Sequence, residues 1–164
     1  MVRSVPDALL AVGAAMRKLL RGRVAAVTGS SGKTTTRELL ALALSATYRV
    51  DSSRGNHNNR IGLPLSILNL DQDAGAVVLE LGMNHEGELR ELGSVARPDA
   101  TVITNVGRAH IEFFSGHDAL ARAKAELLET TAPGGFCVIP AGEPVLRDVA
   151  SASALVVLSR RAPR

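Results

Sequence analysis

One cysteine, one tyrosine, three phenylalanines and no tryptophan stand among the 164 residues. A lone Cys137 excludes an internal disulfide, and its apolar surroundings predict a buried thiol in a strand. With aromatics at 2%, the 46% of apolar residues must build a core from Leu, Val, Ile and Ala. No apolar run approaches the ~20 residues that a membrane-spanning helix needs. Arg17, Lys18 and Arg21 break the N-terminal apolar pattern, against a signal-peptide h-region, so a cytoplasmic location is expected. The net charge of +3 is scattered, and almost no aromatics accompany it, which argues against a nucleic-acid partner. Lysine is scarce too. Of 19 basic residues only Lys18, Lys33 and Lys124 are lysines. In a chain that otherwise chooses Arg, each Lys asks what a primary amine does that a guanidinium cannot.

What is present centres on Val24–Thr36, Val-Ala-Ala-Val-Thr-Gly-Ser-Ser-Gly-Lys-Thr-Thr-Thr. A strand-like run enters a small-residue turn of Gly29, Ser30, Ser31 and Gly32, then Lys33, Thr34 and Thr35, then a helical pattern from Arg37 to Leu44. That order is the order of a phosphate-binding loop. Small residues let backbone N–H groups converge on phosphate oxygens, and a helix N-terminus adds partial positive charge. Lys33 is placed to bridge the terminal phosphates, and the Thr34 hydroxyl is a hard oxygen for Mg²⁺. Val27 stands where the longer form of this pattern has Gly, so the loop is the shorter Gly-x-x-Gly-Lys-Thr form.

The length fits one domain with a real core. Residues 1–22 read as a lead-in helix (Pro6–Leu20) and linker, and 23–164 as the nucleotide-binding unit. Strands are expected at Tyr48–Asp51, Ala76–Leu81, Asp99–Val106, Phe136–Ile139 and Ala154–Leu158. Helices are expected at Leu63–Leu70, Gly87–Ala96, His117–Thr131 and Glu143–Ala150. Alternation of strand and helix predicts an α/β fold with a mostly parallel sheet flanked by helices. Ser52–Gly62, with Asn56, Asn58, Asn59 and His57, is longer and more polar than a connection requires.

In open parallel sheets ligands bind beyond the carboxyl ends of the strands. The phosphate loop, Asn56–Asn59, Glu80 and His110 are all expected there. Glu80 in an apolar strand is costly unless it is paired with a cation or bound to metal, and arginines that could pair with it are plentiful.

Five stretches together resemble the central, ATP-binding domain of the Mur ligases. They are Thr28–Thr36, Gly55-Asn-His-Asn-Asn-Arg-Ile-Gly-Leu-Pro64, Glu80-Leu-Gly-Met-Asn-His-Glu-Gly-Glu88, Thr104-Asn-Val-Gly-Arg-Ala-His110 and Ala121-Arg-Ala-Lys-Ala-Glu126. The second and third are most like the dipeptide-adding member of the family. The resemblance implies an ATP-dependent ligase of peptidoglycan precursor synthesis, joining D-alanyl-D-alanine to a UDP-N-acetylmuramoyl tripeptide through an acyl phosphate. By the same resemblance Gly29–Thr35 with Asn56 and Asn59 bind the nucleotide. Thr34 and Glu80 hold a first Mg²⁺ and His110 a second. Lys33 and His110 serve catalysis, and Lys124 carries a CO₂-derived carbamate that serves catalysis and a metal site. A monomer is implied. So is a partial central domain, inactive alone, without the UDP-binding N-terminal and the C-terminal domains. After Pro140 the match fades. Two other readings remain: a non-catalytic nucleotide-binding remnant, and a Mur-type ligase adding another amino acid.

Overall fold

The computed structural model describes residues 4–107, 111–150 and 155–159. Its centre is a parallel sheet in the order β2-β3-β1-β4-β5-β6. The strands are β1 (Arg23–Thr28), β2 (Val50–Ser52), β3 (Ala76–Glu80), β4 (Ala100–Ile103), β5 (Phe136–Pro140) and β6 (Leu155–Ser159). The helices are α1 (Val5–Arg17), α2 (Lys33–Leu44), α3 (Gly62–Leu68), α4 (Glu88–Ala96), α5 (His117–Ala125) and α6 (Pro144–Ala150). The chain leaves β1 to one side for β2 and β3, then crosses to the other side for β4. The carboxyl end of β1 therefore faces a crevice between diverging connections, which is where such sheets bind ligands.

Burial separates the two halves of the sheet. All five residues of β3 are buried, as its unbroken Ala-Val-Val-Leu-Glu run requires of a strand covered on both faces. β4 and β5 instead alternate buried with partly exposed positions. Ala100, Val102 and Val138 line an apolar groove of about 410 Å³ with Leu40 and Leu44 of α2. The core is aliphatic, as the lack of aromatics demands: Leu63, Ile67, Leu79, Leu89, Leu92 and Leu120 are at most 1% exposed. Cys137 is buried in β5, as expected.

The lead-in helix is packed into this body. Ser4 caps it by accepting the Asp7 N–H, and Leu10 and Gly13 are buried. A Cβ at position 13 would lie 2.7 Å from Cβ of Pro64, so the close approach of α1 to α3 needs glycine there. Arg17 closes the far end of α4 by donating to the carbonyls of Ala96 and Arg97. No helix among the described residues is long and apolar enough to cross a membrane.

Several expected boundaries move, three of them for reasons the structure shows. Strand β2 starts at Val50 because the Tyr48 N–H is still donated to Leu44 O at the end of α2. Strand β4 stops at Ile103 because Thr104 and Asn105 turn to clasp the phosphate loop. The long helix expected over His117–Thr131 ends at Ala125 and resumes as a single 3-10 turn, Leu128–Thr130. Its break places Glu126, 3% exposed, against the start of α4. The carboxylate accepts the Gly87 N–H at 2.8 and 3.0 Å and the Arg90 N–H at 3.3 Å. No side chain within α4 caps that terminus, so Glu126 supplies the cap from another helix.

Truncating Glu126→Ala leaves those part-buried N–H groups without their acceptor. The expected loss is about 1–3 kcal/mol, read as a lower urea midpoint, with Glu126→Gln losing less.

Candidate functional site

The turn after β1 is shaped by two glycines. Gly29 adopts φ 146°, and a Cβ there would meet the Thr104 hydroxyl at 1.9 Å. Gly32, at φ 77°, is the N-cap of α2 and leaves its first turn without a side-chain cap. Between them Ser31 is clasped from β4's end. Its N–H is donated to Asn105 Oδ1 at 3.1 Å, and its carbonyl accepts from Thr104 Oγ1 at 2.6 Å and Asn105 Nδ2 at 3.0 Å. The Ser30 N–H is donated to Asn105 O. Lys33 arches back over the turn and donates to Gly29 O at 2.9 Å. A fixed turn, an uncapped helix start and an ammonium poised over both make a binding place for a polyphosphate.

Glu80 ends β3 beside this turn, in register with Val27 of β1. It is 3% exposed, and its carboxylate is fully engaged. Thr34 Oγ1 donates to Oε2 at 2.9 Å, and Asn58 Nδ2 donates to Oε1 at 2.9 Å. Arg37 Nη1 lies 3.6 Å from Oε2. Since the Thr34 hydroxyl spends its proton on Glu80, its lone pairs remain free toward the turn. Among the described residues no group of three His, Cys, Asp or Glu side chains could hold a metal. Two hard oxygens, from Thr34 and Glu80, are what the described residues offer here. That set fits Mg²⁺, which takes few protein ligands and completes its shell with phosphate and water.

Lys124 lies about two turns into α5 and is 1% exposed. Burial, and secondly the like charge of Lys33, push its pKa from 10.5 down to about 8. The side chain is buried, and the charge of Lys33 reaches it. Among the described residues it makes no hydrogen bond or ion pair.

Beside Lys33 opens a cleft of about 450 Å³ lined by Asn56, Asn58, Asn59, Arg60, Met83, Asn84 and Glu88. Its far wall is stiffened by Glu88, whose Oε2 accepts the N–H of Asn84 and His85.

The Mur ligase middle domain matches residues 27–159. This chain belongs to the Mur ligase family. Among curated relatives, the UDP-N-acetylmuramoyl-tripeptide–D-alanyl-D-alanine ligase of Bacillus subtilis is 40% identical over 129 residues. That match covers 79% of this chain and 28% of the relative. A crystal structure of MurF from Acinetobacter baumannii superposes with a TM-score of 0.91 at 34% identity, over 96% of this chain and 36% of the other. The MurF ligase of Thermotoga maritima, solved in complex with ADP, gives a TM-score of 0.91 at 33% identity, over 99% and 38%. The chain thus spans about a third of the length of these relatives.

Within this Mur ligase middle domain, the residues singled out from sequence sort themselves by position. Gly29, Ser30, Ser31, Gly32, Lys33, Thr34 and Thr35 form the turn and helix start, with Glu80 and Lys124 beside it. Asn56 lines the adjoining cleft. Asn59 also lines it, yet its Oδ1 is occupied in accepting the N–H of Ile61 and Gly62 at the start of α3. His110 lies outside the described residues. The sequence reading left two partners of Glu80 unnamed. Asn58 was visible only as one more Asn in a polar loop, and Arg37 as one Arg of sixteen. A helical wheel holds the signal: Arg37 falls one turn after Thr34 and shares its face.

Lys124 makes a pH-dependent statement. The unfolded chain keeps the amine protonated up to 10.5, while the folded one releases it near 8. Stability contributed by Lys124 therefore rises as pH climbs from about 8 toward 10.5. ¹³C-lysine NMR should show one resonance, absent in Lys124→Met, titrating near 8. Lys33→Met should move that midpoint up. A midpoint near 10.5 would show a solvated amine.

Proposed function

We propose that this chain is the nucleotide-binding part of an ATP-dependent amide-forming ligase. Its reaction joins D-alanyl-D-alanine to a UDP-N-acetylmuramoyl tripeptide in cytoplasmic peptidoglycan precursor synthesis. The observation that carries the reading is the hydrogen bond from Thr34 to Glu80 at the mouth of the Lys33 turn. It supports the reading by holding a hydroxyl and a carboxylate side by side, the kind of oxygen pair that a phosphate-bound Mg²⁺ takes. The Bacillus subtilis relative, a ligase of that name, supports the choice of substrates.

In this reading a carboxylate oxygen of the tripeptide attacks the terminal phosphorus of ATP, and ADP leaves. The amine of the dipeptide then attacks the acyl carbon, and inorganic phosphate leaves. The protein contributes positioning and charge in the first step. Lys33 exchanges its bond to Gly29 O for the terminal phosphate oxygens. The start of α2 receives the remaining phosphate charge. Thr34 and Glu80 would hold Mg²⁺, which supplies charge neutralisation at the phosphates when bound. The adjoining cleft of about 450 Å³ has the position and polarity to take the carboxylate-bearing end of the acceptor.

Lys124 fits a second role. An amine with a pKa near 8 is neutral in a useful fraction of molecules, and only the neutral amine adds CO₂. Addition gives a carbamate and releases a proton. The new anion would then sit beside Lys33, turning repulsion into attraction.

Calorimetry with ATP and Mg²⁺ tests the phosphate assignment. Lys33→Ala is expected to abolish the binding signal while leaving the thermal unfolding midpoint close to that of the native chain. Unchanged nucleotide affinity in Lys33→Ala would sink the assignment.

A further inference from the structure

Arg37 is a buried cation, 5% exposed, and one turn along α2 from Thr34. Its Nη1 donates to Gly55 O at 2.9 Å and lies 3.6 Å from Glu80 Oε2. Nη2 donates to Glu38 at 3.2 Å, but that carboxylate is 68% exposed and gives little. Nε is buried without any acceptor. A guanidinium held in such a place stays charged and needs a buried counter-charge. Glu80 is the buried carboxylate against it. One carboxylate thus serves two cations: the fixed charge of Arg37, and the divalent ion for which Thr34 and Glu80 are suited.

The charges around Glu80 decide what this does. Arg37 cancels the carboxylate, and Lys33 adds positive charge, with Lys124 adding more whenever it is protonated. Summed over Glu80, Arg37 and Lys33, a bare divalent cation arriving here meets no net negative charge. A polyphosphate in the turn brings several negative charges at once and reverses the sign.

We infer that Arg37 makes divalent-cation binding at Thr34 and Glu80 conditional on nucleotide, acting as a positioning residue through the charge of Glu80. This rests on the nucleotide reading above and adds an order: the metal enters with the polyphosphate or after it, not before.

Equilibrium dialysis of Mn²⁺ tests this directly, because manganese in excess of the protein-free chamber is held by the protein, whether or not AMP-PNP carries it. The 164-residue chain would be titrated with Mn²⁺ alone, and separately with Mn²⁺ and the ATP analogue AMP-PNP. Arg37→Met is expected to bind Mn²⁺ alone at least about tenfold more tightly than the native chain, from the removal of one nearby charge. Arg37→Lys keeps the charge and should resemble the native chain. Adding Glu80→Gln to Arg37→Met should erase the gain. Arg37→Gln, which keeps a donor for Gly55 O, should show the same gain and decides the matter if Arg37→Met does not fold. No tightening in the neutral variants, or a gain that survives loss of Glu80, overturns the inference. Failure of the native chain to bind Mn²⁺ even with AMP-PNP would instead overturn the nucleotide reading.

Discussion

The placement of one buried carboxylate governs the rest of the site. Glu80 ends a strand covered on both faces, where an unpaired charge would cost several kcal/mol. The protein offsets this with donors from two directions. Thr34 and Arg37 come from α2, Asn58 from the loop after β2, and Ser53 Oγ accepts the backbone N–H of Glu80 itself. Each partner can reach Glu80 only if its own element is in place. The carboxylate therefore fixes α2, β3 and the polar loop against one another, and through α2 it fixes the phosphate turn. Gly82 follows from the same constraint: its N–H is donated to Asn58 O, and a Cβ there would crowd the Asn58 amide at 3.0 Å.

The phosphate turn itself is held from the opposite side. The Gly-x-x-Gly-Lys-Thr form is shorter than the full pattern, and β4 supplies support that the shorter loop lacks. Thr104 and Asn105 consume the carbonyl and N–H of Ser31 and the N–H of Ser30. Those groups are then unavailable to a ligand, so the anion-facing donors begin at Gly32 and Lys33. Clasping from β4 and anchoring through Glu80 act on the two ends of the turn. Binding a nucleotide then demands little further ordering.

Much of this was legible in the sequence, and the remainder has physical causes. Periodicity placed every strand and helix, because apolar runs of strand length alternate cleanly with helical patterns. The boundaries that moved did so where tertiary partners claimed a residue: Thr104 and Asn105 for Ser31, and Glu126 for the start of α4. The motifs identified Lys33, Thr34 and Glu80 because each residue type is rare or costly in its setting. Arg37 and Asn58 carried no such mark. An Arg among sixteen, on an amphipathic helix, looks like a solvated charge until the strand it faces is known. Lys124 posed the same difficulty. With Arg122 and Glu126 near it in sequence it resembles a surface residue, and only the packing of α5 shows it buried.

The charge of Lys33 acts unfavourably on protonated Lys124, second to burial. Two ammonium groups share one edge of the sheet, and the buried one is pushed toward its neutral form partly by the other. No described carboxylate intervenes, since Glu80 is committed to Thr34, Asn58 and Arg37. A domain selected only for stability would relieve this with a single Glu or a Met at position 124. Keeping it leaves a site with excess positive charge and rigid walls. In such a site a ligand with several negative charges would relieve more of the repulsion than a ligand with one. The strain between the two lysines thus lies on the same coordinate as affinity for a nucleoside triphosphate. The aliphatic core around it contributes the stiffness that keeps the charges from drifting apart.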